Sequence, residues 1–211
     1  EILKIHDSRL KFIELEKNYG YPAKARNVGI KQSKGEYIAL CDDDDIWNED
    51  KLKQQVIFLE KGYSIVFTNH FLIGNLKKNF LRSIYNNFVL PIIINVFPKH
   101  ISYYLLSVSN PIMNSSVIVS KKYFYKNKFI EDLKYRASED YEMWIRLFIM
   151  SNPYYIKNEL VGYRTHDFNI SNNYLSNLER CLMIFKSLKS KNIYYLIFKI
   201  IGIINFTLRI K

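Results

Sequence analysis

The sequence predicts an α/β protein with a mixed, mainly parallel β-sheet flanked by helices. Short apolar segments alternate with segments of helical length over residues 10–68, an order typical of α/β folds. Hydrophobic residues make up 48% of the 211 residues, enough for a sizeable core. Four consecutive aspartates directly follow one predicted strand, and ligands of such sheets bind beyond the carboxyl ends of the strands.

Five elements are predicted between residues 10 and 68. Pro22 suits the first turn of a helix, and Gly35 suits a position just after its end. Asn48 is a suitable N-cap for a second helix, which Gly62 ends. The predicted elements are strands at 10–15, 37–41 and 64–68, and helices at 22–33 and 48–61.

The second part of the chain has a weaker pattern. Residues 71–112 have no clear period and contain three prolines, so irregular or short helical structure is predicted there. We then predict a strand at 117–120, a helix at 141–150 that opens at Ser138, and a last strand at 160–163.

Residues 172–211 are predicted to form a separate C-terminal helical segment, with one helix at 173–189. Residues 193–210 are almost entirely apolar, and Lys199 and Asn205 lie on a narrow polar face. This stretch is too short and too interrupted for a membrane span. Its apolar side is expected either to pack on the protein's own core or a partner chain, or to lie in a membrane interface.

The chain is basic, with 31 Lys and Arg against 20 Asp and Glu and a net charge of +11. Such a surface attracts anions, although a lysine-rich composition with solvated faces explains it equally well. No run of five basic residues occurs, so a nucleic-acid partner is not expected. Cys41 and Cys181 have no zinc-site spacing, and a reduced, cytosolic setting fits them best.

The strongest chemical signal is the acidic run Asp42, Asp43, Asp44 and Asp45. Adjacent carboxylates repel each other, and one of them would normally take up a proton if buried without a cation. Mg²⁺ and Mn²⁺ bind carboxylate oxygens, and Mg²⁺ typically uses one or two carboxylates plus substrate phosphates. Apolar residues on both sides of the run indicate partial burial, which favours a metal site over a solvated acidic turn.

Motifs around this run resemble those of the family-2 glycosyltransferases, in the same order and close to the same spacing. They are N-Y-G at 18–20, A-R-N-V-G-I at 25–30, K-G-E-Y-I-A at 34–39, D-D-D-D-I-W at 42–47, E-D-Y-E-M-W-I-R-L at 139–147, and Y-R-T-H at 163–166 with N-I-S at 169–171. The resemblance implies a GT-A-type, Rossmann-like fold. It also implies that residues 1–171 are a partial glycosyltransferase catalytic domain.

The resemblance implies that Asp44 and Asp42 hold Mg²⁺ or Mn²⁺ against the diphosphate of a nucleotide-sugar donor. His166 matches a histidine that reaches the metal or the diphosphate from the far side. The residues implied to bind the nucleotide sugar are Arg26, Asn27, Asp42 and Asp43. The alternative readings are an ordinary exposed helix arginine at position 26 and a polar loop residue at position 166.

Asp140 matches the general base of the family, and Glu139 precedes it on the same turn, so both are implied to be catalytic. A carboxylate within hydrogen-bond reach can take the proton of an acceptor hydroxyl. The alternative is that both carboxylates only cap the N-terminus of a helix. The implied reaction is inverting sugar transfer to a glycan or lipid-linked acceptor, in cell-surface polysaccharide synthesis. It is expected in the cytoplasm, with possible attachment to the inner face of the plasma membrane.

The sequence departs from the family pattern at its start. The family begins with a strand, a helix and a second strand, a unit of roughly 30 residues or more, and only nine residues precede Leu10. The chain is therefore expected to lack this N-terminal unit. The main alternative function is a truncated, non-catalytic remnant or binding module with the same partial fold. A metal-dependent phosphate-ester or nucleotidyl enzyme is a weaker alternative, because no phosphate-binding glycine loop is evident.

Overall fold

A computed structural model describes residues 7–74, 80–98, 102 and 110–164. Its core is a five-stranded mixed sheet with helices on both faces. The strands are β1 (Tyr37–Ala39), β2 (Ile46–Trp47), β3 (Ile65–Ile73), β4 (Ile118–Ser120) and β5 (Pro153–Arg164). The α-helices are α1 (Ala23–Gln32), α2 (Lys51–Glu60), α3 (Phe80–Ile84), α4 (Leu90–Asn95) and α5 (Glu139–Met150).

The strand order in the sheet is β1-β4-β3-β5-β2. β3 and β5 are parallel, whereas the β1–β4, β3–β4 and β2–β5 pairs are antiparallel. The mixed sheet flanked by helices is as expected, but the expectation of mainly parallel pairing is wrong for the described residues. β4 and β2 run against their neighbours, and antiparallel neighbours need no crossover helix to join them.

The strand predicted at 10–15 does not form. This segment has no ladder partner among the described residues, and Leu10 and Phe12 are 53% and 69% exposed. Alternating apolar residues alone do not make a strand, because its backbone groups also need a neighbouring strand as hydrogen-bond partner.

The other predicted elements of the described chain are present, with shifted ends. α1 begins after Pro22, and α5 begins after Ser138. α2 begins at Lys51 rather than at 48, because the Asn48 side chain accepts a hydrogen bond from the Asp50 backbone N–H in the turn before the helix. The last strand has 12 residues instead of the four predicted. The helices expected at 173–189 and 193–210 lie outside the described residues, as does the whole 172–211 segment.

The segment predicted to be irregular or short-helical contains the short helices α3 and α4. α3 continues through a π-helical turn, Tyr85–Val89, into α4, where Pro91 lies near the start of the helix. Pro91 has no backbone N–H to donate to the preceding turn, so the regular hydrogen-bond pattern is interrupted where the π-helical turn meets α4. Among the described residues, no helix is both long and apolar enough to cross a bilayer.

The hydrophobic core lies on both faces of the sheet. On one face, α1, α4 and α5 pack on β3 and β4, with Trp144 and Phe67 fully buried. On the other face, α2 covers the sheet through Leu59, which packs against Val66. Each large apolar side chain buried in this way stabilises the fold by about 1.5–3 kcal/mol. This packing fixes the positions of the carboxyl end of β1 and of the start of α5.

Candidate active site

The acidic run forms a tight turn between β1 and β2. The backbone N–H of Asp45 donates to the carbonyl of Asp42 over 3.3 Å, which closes the turn. β2 follows at once and pairs with β5 through Ile46 and Gly162. The turn is therefore anchored on one side by the edge of the sheet, with Asp42, Asp44 and Asp45 half-buried and Asp43 exposed.

Ser115 anchors the turn on its other side. Its hydroxyl accepts a hydrogen bond from the Asp42 backbone N–H over 2.8 Å and donates to Asp45 Oδ2 over 2.6 Å. Its carbonyl accepts from the indole N–H of Trp47 over 2.8 Å. Burial raises the pKa of Asp45, and the Ser115 hydroxyl opposes that rise by stabilising the carboxylate.

Arg26 joins the acidic turn to the start of α5. From α1, its Nη2 donates to Asp42 Oδ1 and its Nη1 to Glu139 Oε1, each over 2.8 Å. The Arg26 side chain is only 13% exposed, so these are largely buried, charge-assisted hydrogen bonds. The sequence-predicted residues Arg26, Asp42 and Glu139 are thus brought together, with Asp140 next in the chain.

Asp140 is the most perturbed carboxyl group of this cluster. Burial raises its pKa to about 6, and the neighbouring Glu139 carboxylate adds to the rise, whereas Arg26 and the backbone N–H of Tyr141 oppose it. Ala137, three residues earlier, has φ of 60°, a left-handed backbone that costs a non-glycine residue about 1–2 kcal/mol. This strained residue lies in the turn that sets the start of α5.

Two buried oxygens of the cluster have no hydrogen-bond partner among the described residues: Oε2 of Glu139 and Oδ1 of Asn114. Asn114 donates through Nδ2 to Asp42 Oδ1 over 2.8 Å, so that oxygen receives hydrogen bonds from both Asn114 and Arg26. Sequence reasoning missed Asn114 and Ser115. The signal that could have found them is the polar triplet 114–116 directly before the apolar strand β4.

Asn27 lies beside Arg26 on α1 but faces a different neighbour. Its side chain donates to the Phe129 carbonyl and to Glu131 Oε1 and accepts from the Phe129 backbone N–H, each over 2.9 Å. The structure thus places Asn27 against the loop that leads to α5, away from the acidic turn. Farther along α5, Trp144 is fully buried in the core.

Arg164, the last residue of β5, contacts the acidic turn. The backbone of Arg164, at the end of β5, donates to Asp45 Oδ1 over 3.4 Å, and its side chain donates to the carbonyl of Asp44 over 3.1 Å. His166 lies outside the described residues. Because Arg164 is at the turn, the chain leaves β5 next to the acidic run.

The carboxylate oxygens of the turn are suitable ligands for a hard divalent cation that a bound substrate also coordinates. Within the described residues, no cluster of three or more metal-ligating side chains occurs. The hydrogen bonds from Arg26 and Asn114 to Asp42 both go to Oδ1 and do not involve Oδ2. Asp43 is exposed on the same turn. One or two carboxylates with substrate phosphates as the other ligands is the usual arrangement for Mg²⁺.

Comparison with known proteins places this geometry in context. The sequence profile of glycosyl transferase family 2 matches residues 1–117. An uncharacterized glycosyltransferase of Rickettsia felis is 33% identical over 141 residues, 67% of this chain and 21% of that protein. The glucosyltransferase WfgD of Escherichia coli, named for UDP-Glc and α-D-GlcNAc-diphosphoundecaprenol, is 29% identical over 183 residues, 85% of this chain and 65% of that protein.

A solved structure shows the same fold. The crystal structure of Staphylococcus aureus TarS 1-349 in complex with UDP-GlcNAc matches with a TM-score of 0.61 at 18% identity. The match covers 86% of this chain and 51% of that chain. It confirms the expected GT-A-type architecture. The chain spans between a fifth and two thirds of the length of these relatives.

Proposed function

This chain belongs to glycosyl transferase family 2, and from that premise we propose that it transfers a sugar from a nucleotide-diphosphate donor to an acceptor hydroxyl. The observation that carries the proposal is the Arg26 bridge. It holds a carboxylate of the acidic turn and the Glu139-Asp140 pair in one half-buried cluster. Sugar transfer needs a diphosphate-binding group and a base on opposite sides of the reacting carbon, and this cluster supplies candidates for both.

On the donor side, Asp44 and Asp42 would hold Mg²⁺ or Mn²⁺, with His166 as a further ligand. The bound ion would offset the charge that develops on the departing diphosphate. Asp42 is oriented for this role by hydrogen bonds from Arg26 and Asn114, which fix one oxygen and leave the other for a ligand. Asp43 is proposed to contact the nucleotide sugar.

On the acceptor side, Asp140 would take the proton of the attacking hydroxyl. Its raised pKa, about 6, makes the carboxylate a stronger base than an ordinary aspartate while it remains ionised near neutral pH. Glu139 would keep Arg26 in place rather than accept the proton, because one of its oxygens binds that guanidinium and the other is buried. Direct attack assisted by one base inverts the configuration of the sugar.

The proposed acceptor is a glycan or a lipid-linked sugar in cell-surface polysaccharide synthesis. Support comes from the E. coli relative, whose name gives a diphosphoundecaprenol-linked acceptor. We extend this to a cytoplasmic enzyme that acts at the inner face of the plasma membrane.

The test is metal-dependent donor binding by calorimetry, with UDP as the probe and Mn²⁺ present or replaced by EDTA. We expect Mn²⁺ to strengthen UDP binding and Asp44→Ala to weaken it at least about tenfold, a change of roughly 1.4 kcal/mol. Asp50→Ala is the matched control, because Asp50 is an exposed carboxylate outside the turn. Equal UDP binding with and without Mn²⁺, unaffected by Asp44→Ala, would favour the non-catalytic alternative.

A further inference from the structure

A cleft lies along α1, outside the cluster of charged residues around the acidic turn. Its volume is about 500 Å³, within the range of small-molecule sites. Lys24, Val28 and Lys31 line it from one stripe of α1 at helical spacing, and Asn27 and Ile30 line it from the adjoining face of the helix. Arg26, Asp42, Glu139 and Asp140 are not among the residues that line the cleft.

The charge of the cleft is strongly positive. Its described lining contains four lysines and a single carboxylate: Lys24, Lys31, Lys121, Lys128 and Glu131. Converging ammonium groups around a concave surface raise the local concentration of anions.

Two of these lysines are held by the protein itself. Lys24 pairs with Glu131 over 3.0 Å, and Lys121 donates to the carbonyl of Ser33 at the end of α1. The Lys121 ammonium thereby offsets the negative end of the helix dipole, which would otherwise oppose an anion at this place.

Lys31 and Lys128 differ from Lys24 and Lys121 in their exposure and in their contacts. Both side chains are exposed, and their ammonium groups make no hydrogen bond or ion pair to a described residue. They come from different elements, the last turn of α1 and the loop before α5, so the fold brings two cations without a direct ion pair to one cleft, where Lys128 also helps to lower the pKa of Glu131.

The walls between these charges are apolar and aromatic. Val28, Ile30 and Phe124 line the cleft, and Tyr125 stands at it with 72% of its surface exposed. An exposed aromatic ring with a polar tip suits the face of a sugar ring, which is apolar on one side and carries hydroxyls around its edge.

We propose that this cleft binds a phosphorylated saccharide, with the phosphate at Lys31 and Lys128 and the sugar ring against Tyr125. Its biological role rests on the proposed function: the ligand is a part of the acceptor glycan remote from the reacting hydroxyl. Arg26 and Lys31 are separated by about 8 Å along α1, so a chain of a few sugars could reach both sites.

The test is an NMR titration of the whole protein in EDTA, with glucose 6-phosphate, glucose and inorganic phosphate as separate probes. We expect glucose 6-phosphate to shift the amide signals of Lys31, Tyr125 and Lys128 and to bind at least about fivefold more tightly than either other probe. Lys31→Gln combined with Lys128→Gln should weaken that binding at least about fivefold. The control pair Lys53→Gln and Lys61→Gln removes the same charge from α2 and its end, and should change the affinity less than about twofold.

Three results would overturn the proposal. One is equal weakening by both lysine pairs, which indicates non-specific attraction. Another is equal affinity for inorganic phosphate and glucose 6-phosphate. The third is that Lys31→Gln combined with Lys128→Gln abolishes binding to phosphatidylglycerol vesicles, whereas the control pair does not. That result would assign the two lysines to a lipid surface. Asp44→Ala should leave glucose 6-phosphate binding in EDTA unchanged, so failure of the donor site and failure of the cleft are separate results.

Discussion

At the scale of single residues, Asp140 is expected to determine how the rate of transfer depends on pH. Protonated Asp140 is too weak a base to take the proton of an acceptor hydroxyl, and its pKa is raised to about 6 by burial and by Glu139. The rate of transfer should therefore fall as the pH drops through about 6 and reach a plateau above it.

Replacing Asp140 tests this assignment. Asp140→Asn should lower kcat by roughly 10²–10⁴-fold, the usual contribution of a general base, and remove the rise in rate near pH 6. The measurement is a pH profile of sugar-nucleotide turnover. Asp132→Asn, which removes a carboxylate from an exposed turn before α5, should leave the profile unchanged. A residual rise near pH 6 in Asp140→Asn would assign the base to another group.

The residues of the candidate site were predictable to different degrees. Arg26 and Asp42 lie in short motifs with fixed spacing, so the sequence reveals them without knowledge of the sheet. Asn114 and Ser115 reach the acidic turn only because β4 lies between β1 and β3. That placement depends on contacts over about 70 residues of chain, which no local pattern encodes.

At the scale of elements, α1 is attached to the loop before α5 by Asn27. This amide satisfies both backbone groups of Phe129, so its loss leaves a backbone N–H and a carbonyl without their partner. Asn27→Ala should lower the free energy of unfolding by about 2–3 kcal/mol, as measured by urea denaturation. Lys24→Ala, which removes an exposed ion pair to the same loop and a contact with the Tyr19 ring, should change it by less than about 1 kcal/mol.

The same loop precedes the turn that positions Glu139. Asn27→Ala should therefore also lower kcat by more than Lys24→Ala does, because Arg26 and Glu139 lose their fixed separation. If the two variants had equal effects on stability, the hydrogen bonds of Asn27 would not be what attaches the helix.

Elements were easier to predict than their pairing. α1, α2 and α5 follow from proline and glycine signals and from apolar spacing, all of which are local. The segment at 10–15 has the composition of a strand, yet it finds no partner, and its apolar side chains stay exposed. The length of β5 is underestimated from the sequence because polar residues at 157–159 interrupt its apolar pattern. In the structure, its pairing with β3 continues past these residues through an irregularity in the register.

At the scale of the whole molecule, the stability should depend on pH through Lys51. This side chain is fully buried, donates to Gln55 over 2.8 Å and lies 4.1 Å from the centre of the Trp47 ring. Burial lowers its pKa from 10.5 to about 8. Between these values the unfolded chain holds a proton that the folded chain has released, so the free energy of unfolding rises with pH in this window.

Lys51→Met isolates this effect. The difference in unfolding free energy between the variant and the wild type should shift by roughly 3 kcal/mol in favour of the wild type as the pH rises from 7 to 10. Urea denaturation at several pH values measures it. For Lys53→Met, an exposed position on the same helix, the difference should stay constant. A constant difference for Lys51→Met as well would show that the buried amine does not titrate in this range.

The strand β5 is the last described element in the chain, yet it lies inside the sheet, between β3 and β2. Within the described part of the chain, the two-residue strand β2, directly after the acidic turn, pairs only with β5. Arg26 reaches Glu139 across 113 positions of sequence. During translation, the carboxylates at 42–45 therefore cannot acquire their final arrangement until residues 139–164 have left the ribosome. The nascent chain should remain unable to bind a nucleotide sugar until that stage of its synthesis.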